Sequence, residues 1–157
     1  MLGRMFDRFT ASSRRAVVLS QGEARALKQD HVGPLHLLLG VLTADNATAG
    51  VVLASLGVEP QEVRSQVAAH HGHAENAPSG HIPFSADGKT VLKYSLRESL
   101  ALGHTYIGTE HLVLGLLSDP SGDTNKVLTA LGVPTDTVRE AVMTRLSSRG
   151  GAEPTEP

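Results

Sequence analysis

The sequence predicts an all-α fold in which two tandem, pseudo-symmetric four-helix repeats form one compact domain. The first observation is an internal repeat: residues 31–42 (HVGPLHLLLGVL) recur as residues 106–117 (YIGTEHLVLGLL), so that His36 returns as His111, 75 positions later (111 − 36). The second is that this offset needs no gap from about residue 10 to 72. The third is composition, since Leu, Val and Ala dominate the apolar residues and only 3% of the chain is aromatic. Such a mixture favours helix packing over sheet packing.

The two long helices of each repeat have clear signals. The first helix is predicted over residues 10–28 and 85–103, because a hydroxyl residue suited to capping a helix, Thr10 or Ser85, opens each span. The second helix is predicted to follow a glycine in each repeat, with Pro34 at the first helical position in repeat one. Because this second helix is almost wholly apolar, we expect it to be the buried centre of its repeat.

Two further helices complete each repeat. The third is predicted to be short and to end at Gly57 in repeat one and at Gly132 in repeat two, where glycine can take the left-handed cap conformation. The fourth is predicted over residues 60–69 and 135–146.

The predicted organisation is a double repeat over residues 1–147, followed by a disordered tail over residues 148–157 that is rich in Gly, Pro and Glu. Within the double repeat, repeat one covers about 10–72 and repeat two about 85–146. Between them, about 73–84 forms a linker rich in Gly, Pro, Ser, Asn and His.

Composition excludes several classes of function. The chain has no cysteine, which excludes disulfides, thiol catalysis and thiolate metal sites. A formal net charge of -2 and the absence of Trp argue against nucleic-acid binding. Neither a signal-peptide pattern nor an apolar run of roughly 20 residues is present, so we expect a cytoplasmic protein without a membrane partner.

Eight histidines raise the question of a metal site. His70, His71 and His73 lie where the fourth helix of repeat one ends, and His81 follows in the linker. His70 and His71 point to different helix faces, and no cysteine or carboxylate pair completes a ligand set. We therefore predict no metal site, and a solvated helix end where imidazolium suits the helix dipole.

His36 and His111 fall in the two predicted buried helices, and Glu23 and Glu98 recur on the helices that face them. One interpretation is an acid–base pair in each repeat. Active sites are seldom built twice in equivalent core positions, so we favour a structural Glu–His or backbone hydrogen bond in each repeat. No phosphate-binding loop, nucleophile elbow or His-Glu-x-x-His motif is present. The sequence thus predicts a protein that is not an enzyme and has no cofactor.

Several motifs agree with one known family at that family's spacing. They are MFDRFT at residues 5–10, PSGHIPF at 78–84, GTEHL at 108–112 and the Leu-Gly-Val ends of both third helices. From about residue 5 to 146 the sequence resembles the N-terminal domain of Clp unfoldases, in particular the ClpC type of actinobacteria. The resemblance implies two pseudo-symmetric four-helix repeats that dock adaptors and substrates for the Clp protease.

In that family the domain precedes two ATPase modules, and none follows in this sequence. The resemblance therefore implies either a stand-alone domain or a domain of a longer chain, which in both cases binds a peptide or cyclic peptide ligand and unfolds nothing itself. The alternative, which stays open, is a regulator of Clp protease that binds the Clp ATPase or competes for adaptors or substrates.

Some ClpC-type domains bind phosphorylated arginine at one site per repeat, through a hydroxyl residue that opens the first helix and a glutamate that opens the second. Repeat two keeps both, as Ser85 and Glu110. Repeat one keeps Thr10 but has Leu35 at the glutamate position. A guanidinium without its carboxylate partner loses its strongest contact, so the resemblance implies weak binding at most, confined to Ser85 and Glu110.

The family also has an apolar surface between the repeats, where cyclic peptide antibiotics of the cyclomarin kind bind. The resemblance implies that the matching residues form a peptide-binding site: Met5, Phe6, Arg14, Val17, His81, Pro83, Phe84 and Lys89. Lys93 stands where the family usually has Glu. The alternative for Phe6 and Phe84 is a place in the core, but their positions near the N-terminus and in the linker favour partial exposure.

Overall fold

The computed structural model describes residues 2–45, 47–71 and 77–148. Within these ranges the chain forms nine helices, and its only extended pairing is two isolated bridges. The helices are α1 Leu2–Phe6, α2 Ala11–Ala26, α3 Pro34–Thr43, α4 Thr48–Ser55, α5 Pro60–His71, α6 Ala86–Ala101, α7 Thr109–Leu117, α8 Asp123–Ala130 and α9 Thr135–Ser148. The all-α prediction is confirmed, and α2–α5 and α6–α9 are the two sets of four.

The predicted N-caps set the start of both long helices. The Thr10 hydroxyl accepts a hydrogen bond from Ser13 N at 3.1 Å, and the Ser85 hydroxyl accepts one from Gly88 N at 3.0 Å. Each bond satisfies an amide that the helix itself leaves unpaired. The glycine stops also behave as predicted, because Gly57 follows α4 with a left-handed φ of 94° and its counterpart after α8 is left-handed too.

The second helix of each repeat, α3 or α7, lies at the centre of the domain. All of α7 is buried, as is α3 from its first residue to Val41. Each central helix packs on the first helix of its own repeat at a glycine, Gly40 against α2 and Gly115 against α6. A β-carbon on Gly40 would lie 2.0 Å from the carbonyl oxygen of Ala16. The two helices therefore pack backbone against backbone at that point.

The N-terminal segment and the linker each cross to the other repeat. Phe9 forms a parallel bridge with Ile107, and Val32 forms one with Phe84. Thr10 N reinforces the first crossing by donating to the Ile107 carbonyl at 3.1 Å. The segment before α2 thus pairs with the loop before α7, and the segment before α6 pairs with the loop before α3. Through this exchange the repeats share one hydrophobic core.

The recurring glutamates pair with arginines, so the Glu–His form of the predicted hydrogen bond is wrong. Arg64 donates from Nε and Nη2 to the two carboxylate oxygens of Glu23, at 2.9 and 2.8 Å. That hydrogen bond is the main reason why the pKa of Arg64 is raised above its ordinary value. At the equivalent place in repeat two, Arg139 lies 4.0 Å from Glu98. Each pair joins the first helix of its repeat to the fourth.

The buried histidines adopt the backbone form of the predicted hydrogen bond. Nδ1 of His36 accepts from Gly33 N, and Nδ1 of His111 accepts from Gly108 N, both at 2.9 Å. A ring whose Nδ1 accepts carries its proton on Nε2. In repeat two that Nε2 lies 2.8 Å from Nδ1 of His104. These histidines therefore cap the starts of α3 and α7, which is a structural role.

In the three described ranges no single helix combines the length and apolar composition needed to cross a membrane. Taken together, α3 and α4 pass that test on length and composition alone, and they meet at an angle of 95°.

The predicted domain limits stay predictions. Residues 149–157, most of the predicted tail, and residues 72–76 of the predicted linker region lie outside the described ranges.

Candidate peptide-binding surface

Two phenylalanines from distant parts of the chain meet where the repeats join. The ring centroids of Phe6 and Phe84 lie 6.3 Å apart, and the ring planes are inclined by 30°. Phe6 also meets Phe9 edge to face, with centroids 4.8 Å apart, and Phe9 belongs to the buried core together with Met5. Phe6 and Phe84 are both partly exposed, as their sequence positions suggested. We call Phe6 and Phe84 the aromatic patch.

Two side chains of α2 hold the linker that leads into the patch. Arg25 donates to the carbonyl oxygens of Pro78 and Gly80, at 2.7 and 2.8 Å. Gln21 pairs with both backbone groups of Ile82, accepting from its N–H at 3.0 Å and donating to its carbonyl. These hydrogen bonds hold the backbone just before Phe84. The position of the Phe84 ring is therefore set by contacts within the protein.

Sequence reasoning missed Gln21 and Arg25. They lie one helical turn apart on α2, and their equivalents in repeat two are Leu96 and Leu100. The sequence did contain a signal for this contact. Two polar residues in repeat one correspond to two leucines in repeat two, and such a difference indicates a contact that only repeat one makes.

The other residues predicted for this surface differ in exposure. The guanidinium of Arg14 is exposed and donates to the carbonyl oxygens of Phe6 at 3.3 Å and Asp7 at 3.4 Å, so it holds the end of α1. Val17 is half-buried against the core. Three more are exposed: His81, Pro83 and Lys89. Met5 is only 6% exposed, because α1 directs its side chain into the core, and its role in peptide binding stays a prediction.

Glu110, predicted to contact a phosphorylated arginine, is a core residue. Its carboxylate is 1% exposed and accepts a hydrogen bond from the Thr48 hydroxyl at 2.5 Å. Beside it, Ala49 N donates to the Thr109 hydroxyl at 3.3 Å. The start of α7 is thereby tied to the start of α4 in the other repeat. A guanidinium that bound Glu110 would share this buried carboxylate with the Thr48 hydroxyl.

The sequence prediction placed Ser85 and Glu110 in one site of repeat two. The structure does not bring these two side chains together. A β-carbon on Gly108 would lie 3.2 Å from Oε1 of Glu110 and 3.8 Å from Cγ2 of Thr10, so Thr10 is the hydroxyl residue beside Glu110. Ser85 instead lines a cavity of about 110 Å³ together with Leu35. The reason is the exchange of segments, which places the start of each long helix next to the other repeat.

A larger cleft of about 560 Å³ opens between α4 and α9. It is lined by Val52, Ser55, Asp136, Thr137, Glu140, Ala141, Thr144 and Arg145. No sequence motif pointed to it. Its lining mixes apolar atoms with polar and charged groups, and none of the lining side chains is aromatic.

Of the histidines weighed as metal ligands, His81 has a described side chain, and its Nδ1 lies 3.4 Å from Nε2 of Gln21. The side chains of His70 and His71, and all of His73, lie outside the described part of the chain. Among the described residues, no group of three or more His, Asp or Glu side chains is arranged to hold a metal ion. The absence of a metal site stays a prediction.

Known proteins share both the repeat and the order of helices. The family profile of the Clp repeat (R) N-terminal domain matches twice, over residues 8–131 and 84–155. The chain belongs to this family. The resemblance seen in the sequence motifs is thereby confirmed.

Relatives within the family include chaperone proteins of chloroplasts. The chloroplastic chaperone protein ClpC1 of Oryza sativa subsp. japonica is 38% identical over 139 residues, and chloroplastic ClpC2 of Arabidopsis thaliana is 39% identical over 139 residues. Each alignment covers 88% of this chain and 15% of the relative. The chain therefore spans less than a sixth of the length of these relatives.

Solved structures share the fold. The N-terminal domain of the chaperone ClpD from Arabidopsis thaliana superposes with a TM-score of 0.77 and 30% identity, covering 90% of this chain and 96% of that one. A ClpV N-domain in complex with a VipB peptide superposes with a TM-score of 0.70, covering 97% and 95%. At 17% identity, the second likeness shows the fold alone.

Proposed function

We propose that this chain is a non-enzymatic peptide-binding module and that the aromatic patch is its docking site. The observation that carries the proposal is the pair of partly exposed rings, Phe6 and Phe84, which pack against the core that contains Phe9 and Met5. Aromatic rings that are fixed on one side and open on the other are the anchors that peptide interfaces use. The family supports a docking role, and a ClpV N-domain of the same fold was solved with a VipB peptide.

The patch is ordered before any ligand arrives. Arg14 holds the carbonyls at the end of α1, and Gln21 and Arg25 hold the linker. Ordering a flexible interface side chain costs about 0.5–1.5 kcal/mol, so a pre-formed patch loses less on binding. A cyclic ligand avoids its own ordering cost in the same way. We therefore propose cyclic peptides of the cyclomarin kind, rich in aromatic residues, as ligands, with linear segments of Clp adaptors or substrates as the wider class.

The test is a calorimetric titration of a cyclomarin-like peptide into the whole chain. We expect one peptide per chain and a higher melting temperature, because a ligand at 100 times its Kd stabilises the native state by about 2.7 kcal/mol. If no heat is released and the melting temperature does not move, the receptor proposal fails. The regulator that competes for adaptors or substrates of Clp protease then becomes the better hypothesis.

We propose that phosphoarginine binds weakly and at one site. Of the two equivalent positions, only Glu110 offers a carboxylate, and it is already bonded to Thr48. Calorimetry with phosphoarginine should detect at most one weak site, which Glu110→Ala abolishes. The matched variant Leu35→Ala, at the equivalent position, should leave that site unchanged. Two equivalent sites would contradict this proposal.

A further inference from the structure

Repeat two carries a row of positive charge that repeat one lacks. Lys89, Lys93 and Arg97 lie four residues apart on α6, so they share one face of the helix, and all three are exposed. The equivalent positions of α2 hold one arginine, one valine and one glycine. This basic row (Lys89, Lys93 and Arg97) is therefore not inherited from the duplicated fold.

Among the described residues, no neighbour forms an ion pair with the basic row. Like charges one turn apart on a helix repel each other. Glu98, next to Arg97 in sequence, faces Arg139 instead, at 4.0 Å. The Arg97 guanidinium lies 4.8 Å from the ring centroid of Tyr94, a contact that keeps the positive charge. The formal net charge of the chain is -2, so this cluster of three positive charges is opposite in sign to the chain as a whole.

Apolar surface accompanies the charge at one end of the row, and the aromatic patch lies near the other end. Leu96 is half-buried, and Leu100 is 54% exposed on the same side of α6, three residues after Arg97. At its other end the row begins with Lys89, in the first turns of a helix that starts two residues after Phe84. The row therefore begins five residues after Phe84 in the chain and ends beside the two leucines.

We propose that the basic row docks an extended acidic segment of a partner protein whose leading aromatic residue occupies the aromatic patch. This inference rests on the proposed function, because it names the class of linear peptide that the patch receives. Positions four apart along a helix are separated by about 6 Å. Alternate side chains of an extended strand are separated by about 6.6 Å. Carboxylates at every second residue of the segment therefore match the spacing of the row, and opposite charge fixes their register.

The probe is a fluorescein-labelled peptide, Phe-Ala-Glu-Ala-Glu-Ala-Glu, in which the ring and the three carboxylates share one face of an extended strand, and its neutral twin has Gln in place of each Glu. Fluorescence anisotropy with the whole chain should show the acidic peptide binding roughly tenfold more tightly, the sum of three exposed ion pairs. Raising NaCl from about 50 mM to about 500 mM should remove most of that advantage, because salt screens exposed charges. Equal affinity for the two peptides would overturn the inference.

Two double variants test the location. Lys93→Gln with Arg97→Gln should weaken the acidic peptide roughly fivefold, since two exposed ion pairs are lost. The charge-matched control, Lys28→Gln with Lys126→Gln, removes the same net charge from exposed positions outside α6 and should change affinity by less than about twofold. Equal weakening by both double variants would overturn the inference. A cyclic peptide should bind the single variant Arg97→Gln as it binds the wild type, because Arg97 is not among the residues matched to the cyclic-peptide surface. Its binding separates a failure of this inference from a failure of the proposed function.

Discussion

Phe84→Ala should weaken the binding of a cyclomarin-like peptide by tenfold to a hundredfold. Burying a phenylalanine side chain contributes about 1.5–3 kcal/mol, and about 1.4 kcal/mol corresponds to tenfold in Kd. The ring is half of the aromatic patch, and its free face is what a ligand would cover. Comparing Kd for variant and wild type by calorimetry checks the prediction.

The control for this variant is Val51→Ala. Val51 is 61% exposed on α4, outside the patch, so its truncation also removes exposed apolar surface but should leave Kd unchanged. The melting temperature of ligand-free Phe84→Ala should stay within a few degrees of the wild type, because a partly exposed ring contributes less to the core than a fully buried leucine does. If Phe84→Ala binds as tightly as the wild type, the aromatic patch is not the docking site.

Gly40→Ala should destabilise the fold by about 3 kcal/mol, the upper end of what overpacking usually costs. The added β-carbon would lie 2.0 Å from the Ala16 carbonyl oxygen and 3.2 Å from Ser20 N. Both neighbours are backbone atoms of α2, so no side chain can rotate away and the two helices must separate. Urea unfolding measures the loss directly. Thermal unfolding should show a fall of roughly 10 °C for a chain of this size.

Gly22→Ala is the matched control, the same substitution inside a helix. Nothing lies within 4 Å of a β-carbon placed on Gly22, which is exposed in α2. Alanine in a helix interior is favoured over glycine by about 0.5–1 kcal/mol, so this variant should be slightly more stable than the wild type. If both variants have the same stability, the close approach of α2 and α3 at Gly40 is refuted.

The duplication made most of the helices predictable, because each signal appears twice at one offset and the two copies check each other. The hydroxyl caps at Thr10 and Ser85 are examples. Helix α1 was not predicted, since five residues are too few to show a helical period or to be stable alone. It is held by tertiary contacts instead: Met5 enters the core, and Arg14 binds carbonyl oxygens at the end of the helix.

The candidate site was harder to predict than the helices. The spacing between the two repeats shows which residues are equivalent, but it does not show which residues are neighbours in space. Sequence reasoning paired Ser85 with Glu110 inside one repeat, whereas the crossing segments place Thr10 beside Glu110. The sequence analysis did not identify the partner of Glu23, although the repeat contained the information needed to do so. Arg64 recurs as Arg139 at the same offset as the glutamates, and a charged residue that repeats on a buried side needs a partner of opposite charge.

Backbone amide NMR of the ¹⁵N-labelled chain during titration with the cyclic peptide tests the docking site most directly. The account predicts that the shifted amides cluster around the aromatic patch, at residues 5–6, 14–17 and 81–89. Amides that line the cleft between α4 and α9, such as those of Val52, Thr137 and Glu140, should not move. Shifts concentrated in that cleft, with the amides around Phe6 and Phe84 unchanged, would contradict the account.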